Sequence, residues 1–301
     1  MKTRALLSSF LIAALPILAL MAQDNVIDHL TVPFTKPGEP GRVQADLLNG
    51  SITVIGYEGA QVDITTVSKN EDEEDEDEDV KLKSTGKSFG FSYRYDKDKD
   101  EDKKKNTDGM YRIPVSSSEL EVEEKNNHMK ISVESVRNTT NLIIKVPVNT
   151  SLKLNTVNNG LIKIENVNGE IEAENVNGEI LIKNVSGSVA ASTVNGDVVV
   201  IMNKVTPDKP MSFNSFNGDV DVTLPAAAKA SVKIKTVNGD VYSDFEIART
   251  ENPTQSTGNK RGNDGKYHVQ IEHCFYGSLN GGGSEYSFST HNGDIIIRKA
   301  K

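Results

Sequence analysis

The stretch NVNGEIEAENVNGEILIKNVSGSVAASTVNGDVVV, Asn166 to Val200, repeats itself every nine residues. Asn-Gly or Ser-Gly pairs place glycines at Gly169, Gly178, Gly187 and Gly196, and Gly160 extends the series backwards. Counted from the residue after each glycine, apolar side chains fall at the second, fourth and seventh places. They are Ile162, Ile164, Val167; Ile171, Ala173, Val176; Ile180, Ile182, Val185; and Val189, Ala191, Val194. Places two and four share one face of a strand. Place seven is out of phase with them. A meander of hairpins closed by Asn-Gly type I′ turns would keep its alternation from turn to turn. Here the phase slips once per unit, around Asn166, Asn175, Asn184 and Thr193. A slip is a corner, so each unit reads as a strand, a bend, an inward Val and an Asn-Gly bend. The glycine supplies a positive φ at its corner. The repeated Asn is placed to hydrogen-bond the copy one coil above, as stacked amides do in cross-β ladders.

Later units are longer but keep the punctuation. Gly218 and Gly239 follow Gly196 at 22 and 21 residues, and Asn292-Gly293-Asp294 is a last copy. Two nonads come close to these lengths, so one coil is two nonads in the tight part and one long unit in the loose part. Units that bury their faces only by stacking make a solenoid. The fold predicted is therefore all-β, a single-stranded β-solenoid, clearest over residues 142–298. A β-sandwich with coincidental turns is the competing architecture.

The units NVNGEI, TVNGDV, SFNGDV and THNGDI resemble the bacterial putative-adhesin family, a domain of unknown function also described as β-strand-repeat proteins. The likeness runs from Leu142 to Arg298 and, more weakly, through the strands from Leu47. It implies a cell-envelope β-solenoid. It carries over no catalytic residues.

Residues 1–22 read as a signal peptide. Lys2 and Arg4 precede an apolar run from Ala5 to Met21, and Ala22-Gln23 is the cleavage point. Residues 23–301 are then one solenoid domain, exported to the periplasm, the outer surface or the medium, and not integral to a membrane after cleavage. Without Lys2 and Arg4 the net charge is −11, and nine of the acids form one run, Glu71 to Asp79. With Asp96–Lys105 this run makes residues 69–109 a charged, largely disordered insertion. Asn252–Lys266 is a second polar loop. No basic patch offers itself to phosphates, which excludes nucleic acid as a partner.

The residue after each glycine is repeatedly acidic: Glu170, Glu179, Asp197, Asp219, Asp240 and Asp294. Stacked at ~4.8 Å, such carboxylates form a column, and Ca²⁺ is the cation it would take. The competing reading is a set of solvated corner residues, with Leu161 and Ser188 breaking the column. Asp96-x-Asp98-x-Asp100 begins like an EF-hand loop but has Glu101 where the glycine belongs. His268 and His273 lie on opposite faces of a strand, and Cys274 reads as a small buried residue. No nucleophile elbow, phosphate loop or zinc helix motif occurs, and no cofactor is implied.

The function expected is a non-enzymatic cell-envelope protein, an adhesin-like or scaffold module that binds a protein or glycan ligand. A periplasmic sensor or assembly partner docking through the acidic loop is the alternative. A polysaccharide-active β-helix enzyme fits less well, for want of a clustered set of acid, base and aromatic residues.

Overall fold

The computed structural model describes residues 25–68, 119–134, 139–158, 160–250 and 274–301. The leader, the acidic insertion, the loop at 252–266, His268 and His273 lie outside these residues. The described chain has strands and turns and no helix. The strands are β1 (Asn25–Pro33), β2 (Gly41–Asn49), β3 (Ile52–Tyr57), β4 (Gln61–Ser68), β5 (Glu119–Lys125), β6 (His128–Glu134), β7 (Thr140–Pro147), β8 (Thr150–Asn158), β9 (Ile162–Glu165) and β10 (Asn168–Asn177). There follow β11 (Ile180–Asn195), β12 (Val198–Val205), β13 (Met211–Asn217), β14 (Val220–Leu224), β15 (Ala230–Lys235), β16 (Val241–Ser243), β17 (Ile247–Arg249), β18 (Phe275–Leu279), β19 (Glu285–Ser289) and β20 (Ile295–Lys299).

Most pairings are parallel, and they form two ladders. One runs β6, β2, β8, β10, the second half of β11, β13, β19, β15. The other runs β7, β3, β9, the first half of β11, β12, β14, β20, β16. A coil is one strand in each ladder joined by an Asn-Gly corner. The tight coils advance by two nonads: Gly169 pairs with Gly187, and Asn177 with Asn195. This is the β-solenoid that the repeat implies.

The order of the coils departs from chain order at both ends. The first coil, β2–β3, sits between β6–β7 and β8–β9. The last coil in the chain, β19–β20, sits between β13–β14 and β15–β16. The copy at Gly293 is therefore an inserted rung and does not close the stack. Antiparallel strands flank the coils. β5 pairs with β6, β4 with β7 and β1 with β4, while β18 pairs with both β15 and β17. Such additions lie where a bare parallel edge would otherwise recruit another strand.

Inward residues from both ladders make one continuous apolar core. Ala173, Ala191, Phe213 and Phe288 are successive members of one row, and Ile162, Ile180, Val198, Val220 and Ile295 of the row opposite. The Phe213 and Phe288 rings stack at 5.2 Å. Cys274 is half-buried and precedes β18, so it is neither in a strand nor a core residue.

Candidate functional site: a ridge along one corner

The two nonads of a coil do different work. At Asn166 and Asn184 the backbone turns left-handed, with φ of 60° and 56°. That turn supplies the phase slip, and Val167 and Val185 point inward as the repeat predicts. At the other corner the alternation continues instead. Ile171, Ala173 and Asn175 are buried in succession, and Val176 points out. Thr193 and Val194 behave likewise. The expectation that Val176 and Val194 are inward is therefore corrected. A polar side chain takes the inward place, because the glycine carbonyl one coil away needs a donor.

That donor recurs in six coils. Thr156 donates to the Gly50 carbonyl at 3.0 Å, Asn175 to Gly160 at 2.7 Å and Thr193 to Gly178 at 2.9 Å. Ser215 donates to Gly196 at 2.8 Å, Thr290 to Gly218 at 2.9 Å and Thr236 to Gly293 at 3.1 Å. Outside it runs the amide ladder. Asn177 donates to Asn158, Asn195 to Asn177, Asn217 to Asn195, Asn292 to Asn217 and Asn238 to Asn292. Each amide fixes the register of its coil on the last.

Between these two polar rows stands a column of outward side chains, exposed and apolar except for the half-buried His291. In stacking order it is Leu48, Val157, Val176, Val194, Phe216, His291 and Val237. Its six hydrophobic members range from 37% exposed at Val157 to 55% at Val237. The His291 ring lies flat on Phe216, with centroids 4.7 Å apart and planes at 4°. Six steps of ~4.8 Å make the column about 29 Å long. Isolated exposed hydrophobics need no explanation, but a contiguous row marks a contact surface.

Five of the six acidic candidates line the far side of the glycines: Glu179, Asp197, Asp219, Asp294 and Asp240. Three carboxylates cap the next coil. Asp197, Asp219 and Asp294 accept the backbone N–H of Asp219, Asp294 and Asp240, each at 2.8 Å. Glu170 stands apart on the opposite corner, where Lys209 at 2.8 Å holds its carboxyl below the usual range. Among the described residues no three His, Cys, Asp or Glu side chains are grouped to hold a metal ion. Partial burial, then the charge of Asp197, pushes the Glu179 carboxyl up. The charges of Asp240 and Asp294 push the Tyr242 phenol up.

A raised carboxyl pKa has a defined linkage sign. Between the unfolded and folded values the native state binds the extra proton, so Glu179 stabilises the fold as pH falls and opposes it as pH rises. Glu179→Gln is expected to raise the melting temperature at pH 7 and to flatten stability's dependence on pH across the acidic range. Thermal melts of both proteins from pH 4 to pH 7 check this. An equal or lower melting temperature for the variant at pH 7 counts against an unfavourable charge at Glu179.

Of the eight corner glycines, Gly178, Gly187, Gly196, Gly218 and Gly293 have positive φ. Gly160, Gly169 and Gly239 do not. All eight share a different property. A Cβ on any of them would meet the backbone of the adjacent coil. Gly169 and Gly187 lie on the Glu170 corner, and the other six lie on the ridge.

Two shallow depressions lie elsewhere on the surface. Arg42, Ser151, Glu170, Glu172 and Ser188 help line one of about 180 Å³. Gln44, Glu123, His128 and Lys130 help line another of about 450 Å³. Neither sets a nucleophile against a base. No described helix is long and apolar enough to cross a membrane.

Two solved structures are similar to the chain at low scores. A putative cell adhesion protein from Clostridium sporogenes is 11% identical, with a TM-score of 0.42 over 91% of this chain and 99% of its own. A putative adhesin from Bacteroides fragilis is also 11% identical, with a TM-score of 0.37 over 91% and 98%. No curated protein matches the chain. Residues 170–274 match the Toastrack DUF4097 family. That span, about a third of the chain, holds the units from Gly178 to Gly239, and the match agrees with the family resemblance of those units.

Proposed function

We propose that this chain is a non-enzymatic, exported cell-envelope protein, an adhesin-like or scaffold module that binds its ligand along the ridge. Residues 1–22 are its signal peptide and residues 23–301 its single domain. The observation that carries the reading is the seven-coil column from Leu48 to Val237, which leaves apolar side chains in water on a molecule with a full core. One contact per coil gives many weak interactions in a fixed register, which favours avidity over a single tight pocket.

The test uses the mature chain, fluorescently labelled, on envelope fragments of the source cells. Saturable retention is expected. It should fall in a variant carrying Val176→Ser, Val194→Ser and Phe216→Ser, which leaves net charge unchanged. Retention that never saturates, or that the triple variant matches, removes the ridge from the function.

A further inference from the structure

We propose that the ridge takes a cationic amphipathic polypeptide segment. The apolar side chains of that segment seat on the Leu48–Val237 column, and its Lys or Arg side chains meet the carboxylates beyond the glycines. The inference rests on the reading of the ridge as the binding surface and adds the chemistry of the occupant.

Three features of the ridge select that chemistry. First, the apolar and acidic columns run side by side in the same coils. Val176 and Glu179 share a corner, as do Val194 and Asp197, Phe216 and Asp219, His291 and Asp294, and Val237 and Asp240. A ligand following the apolar column therefore passes five carboxylates in order. Second, none of these five acids forms an ion pair among the described residues, whereas Glu170, Glu172 and Asp221 elsewhere on the surface each hold a Lys or Arg. The ridge carboxylates are thus open to an external cation, in the same coils as the apolar column. Third, the column length of about 29 Å matches an α-helix of roughly 20 residues or an extended segment of roughly nine. A basic amphipathic segment has both faces at that length.

A second copy of this chain fits less well. Its own ridge offers acids. The outward row on the other flank of the column is Asp46, Asn155, Glu174, Ser192, Asn214, Ser289 and Lys235, with one cation among seven residues. Anionic ligands meet the same carboxylates and are repelled.

The experiment measures fluorescence anisotropy of three synthetic peptides of about 18 residues against the mature chain. One is Leu/Lys in an amphipathic helical pattern. The second replaces Lys by Glu, and the third replaces Leu by Ser. The Leu/Lys peptide is expected to bind, with affinity falling as salt rises. The Ser/Lys peptide should bind on the order of tenfold more weakly, and the Leu/Glu peptide should not bind. Val194→Ser with Phe216→Ser should weaken Leu/Lys binding by about tenfold at unchanged charge. Asp219→Asn with Asp294→Asn should weaken it and flatten its salt dependence. Deleting Glu71–Asp79 should leave the affinity in place. Val194, Phe216 and Asp219 are exposed and Asp294 is half-buried, and thermal melts of each variant confirm folding.

Equal binding of the Leu/Lys and Ser/Lys peptides overturns the proposal, because affinity would then follow net charge alone. Loss of binding on deleting Glu71–Asp79, with the ridge variants unaffected, overturns it too. Sedimentation showing a dimer that Val194→Ser with Phe216→Ser dissociates would make a second copy the occupant. Ridge-dependent retention on envelope fragments without Leu/Lys binding would sink this inference and leave the binding-module reading standing.

Discussion

Truncation after Gly283 is expected to cost the protein its fold, although it removes only the last strand pair in the sequence. In a solenoid whose coils stack in chain order, losing the final coil trims an end and leaves the remaining interfaces intact. Here β19–β20 is an internal rung. Met211 pairs with Tyr286 and Phe213 with Phe288 on one side, and Val232 pairs with Tyr286 and Ile234 with Phe288 on the other. Ile295 and Ile297 bridge Val220 and Val222 to β16 in the second ladder. The truncation deletes Tyr286, Phe288, Ile295 and Ile297, all buried to within 2%. At about 1.5–3 kcal/mol per buried side chain, the loss is roughly 6–12 kcal/mol, comparable to the whole net stability of a domain. It also uncovers the faces of β13–β14 and β15–β16. The expected result is an insoluble or protease-sensitive chain. The single change Phe288→Ala, which removes one partner of the stacked ring pair, should cost about 3–5 kcal/mol in chemical denaturation. A truncated protein that stays soluble and melts within a few degrees of the full chain would contradict the inserted position of the last coil.

The nonad was legible because it serves two masters, the strand face and the corner. Places two and four are buried in every unit, from Ile162 and Ile164 to Val189 and Ala191. The stacked amides were legible for the same reason, since Asn recurs before nearly every glycine. Place seven was not. Val167 and Val176 occupy the same position in sequence, yet one is in the core and the other in water. The difference lies in the residue just before, in whether it turns left-handed, as Asn166 does, or stays extended and buried, as Asn175 does. Asn at both positions hid the distinction. Only the pair Asn175 and Thr193 hinted at it, since a hydroxyl replaces an amide where a donor, not a turn, is needed. Because the apolar column consists of those outward residues, the ridge was invisible to a reading that placed every Val inside. The order of the coils was hidden for a different reason. The unit at Gly293 looks like any other, and nothing in its local sequence says that it pairs with β13–β14 on one side and β15–β16 on the other.

The same corners yield the second large effect, and it separates two roles for glycine. Gly160 is outside the left-handed region, so a side chain there meets no φ penalty. Its missing Cβ nevertheless points at the carbonyl of Gly50, in the coil that pairs with its own. Coils ~4.8 Å apart bring backbone against backbone at this point, and the carbonyl is held in place because Thr156 donates to it. Neither partner is a flexible side-chain tip that swings aside. Gly160→Ala must push the β2–β3 and β8–β9 coils apart. The expected cost is about 3 kcal/mol, the upper range for overpacking a rigid site. Gly38→Ala is the matched comparison. Gly38 has a φ of 91° and nothing within 4 Å of a built Cβ, so only backbone strain opposes the substitution, about 1–2 kcal/mol. Urea denaturation of the two variants ranks the roles. Gly160→Ala as the more destabilised protein means that the repeat keeps glycine for coil-to-coil approach. The reverse order would return the corners to a matter of φ alone. It would also leave Gly160, Gly169 and Gly239, which have no such φ, without a reason to be glycine.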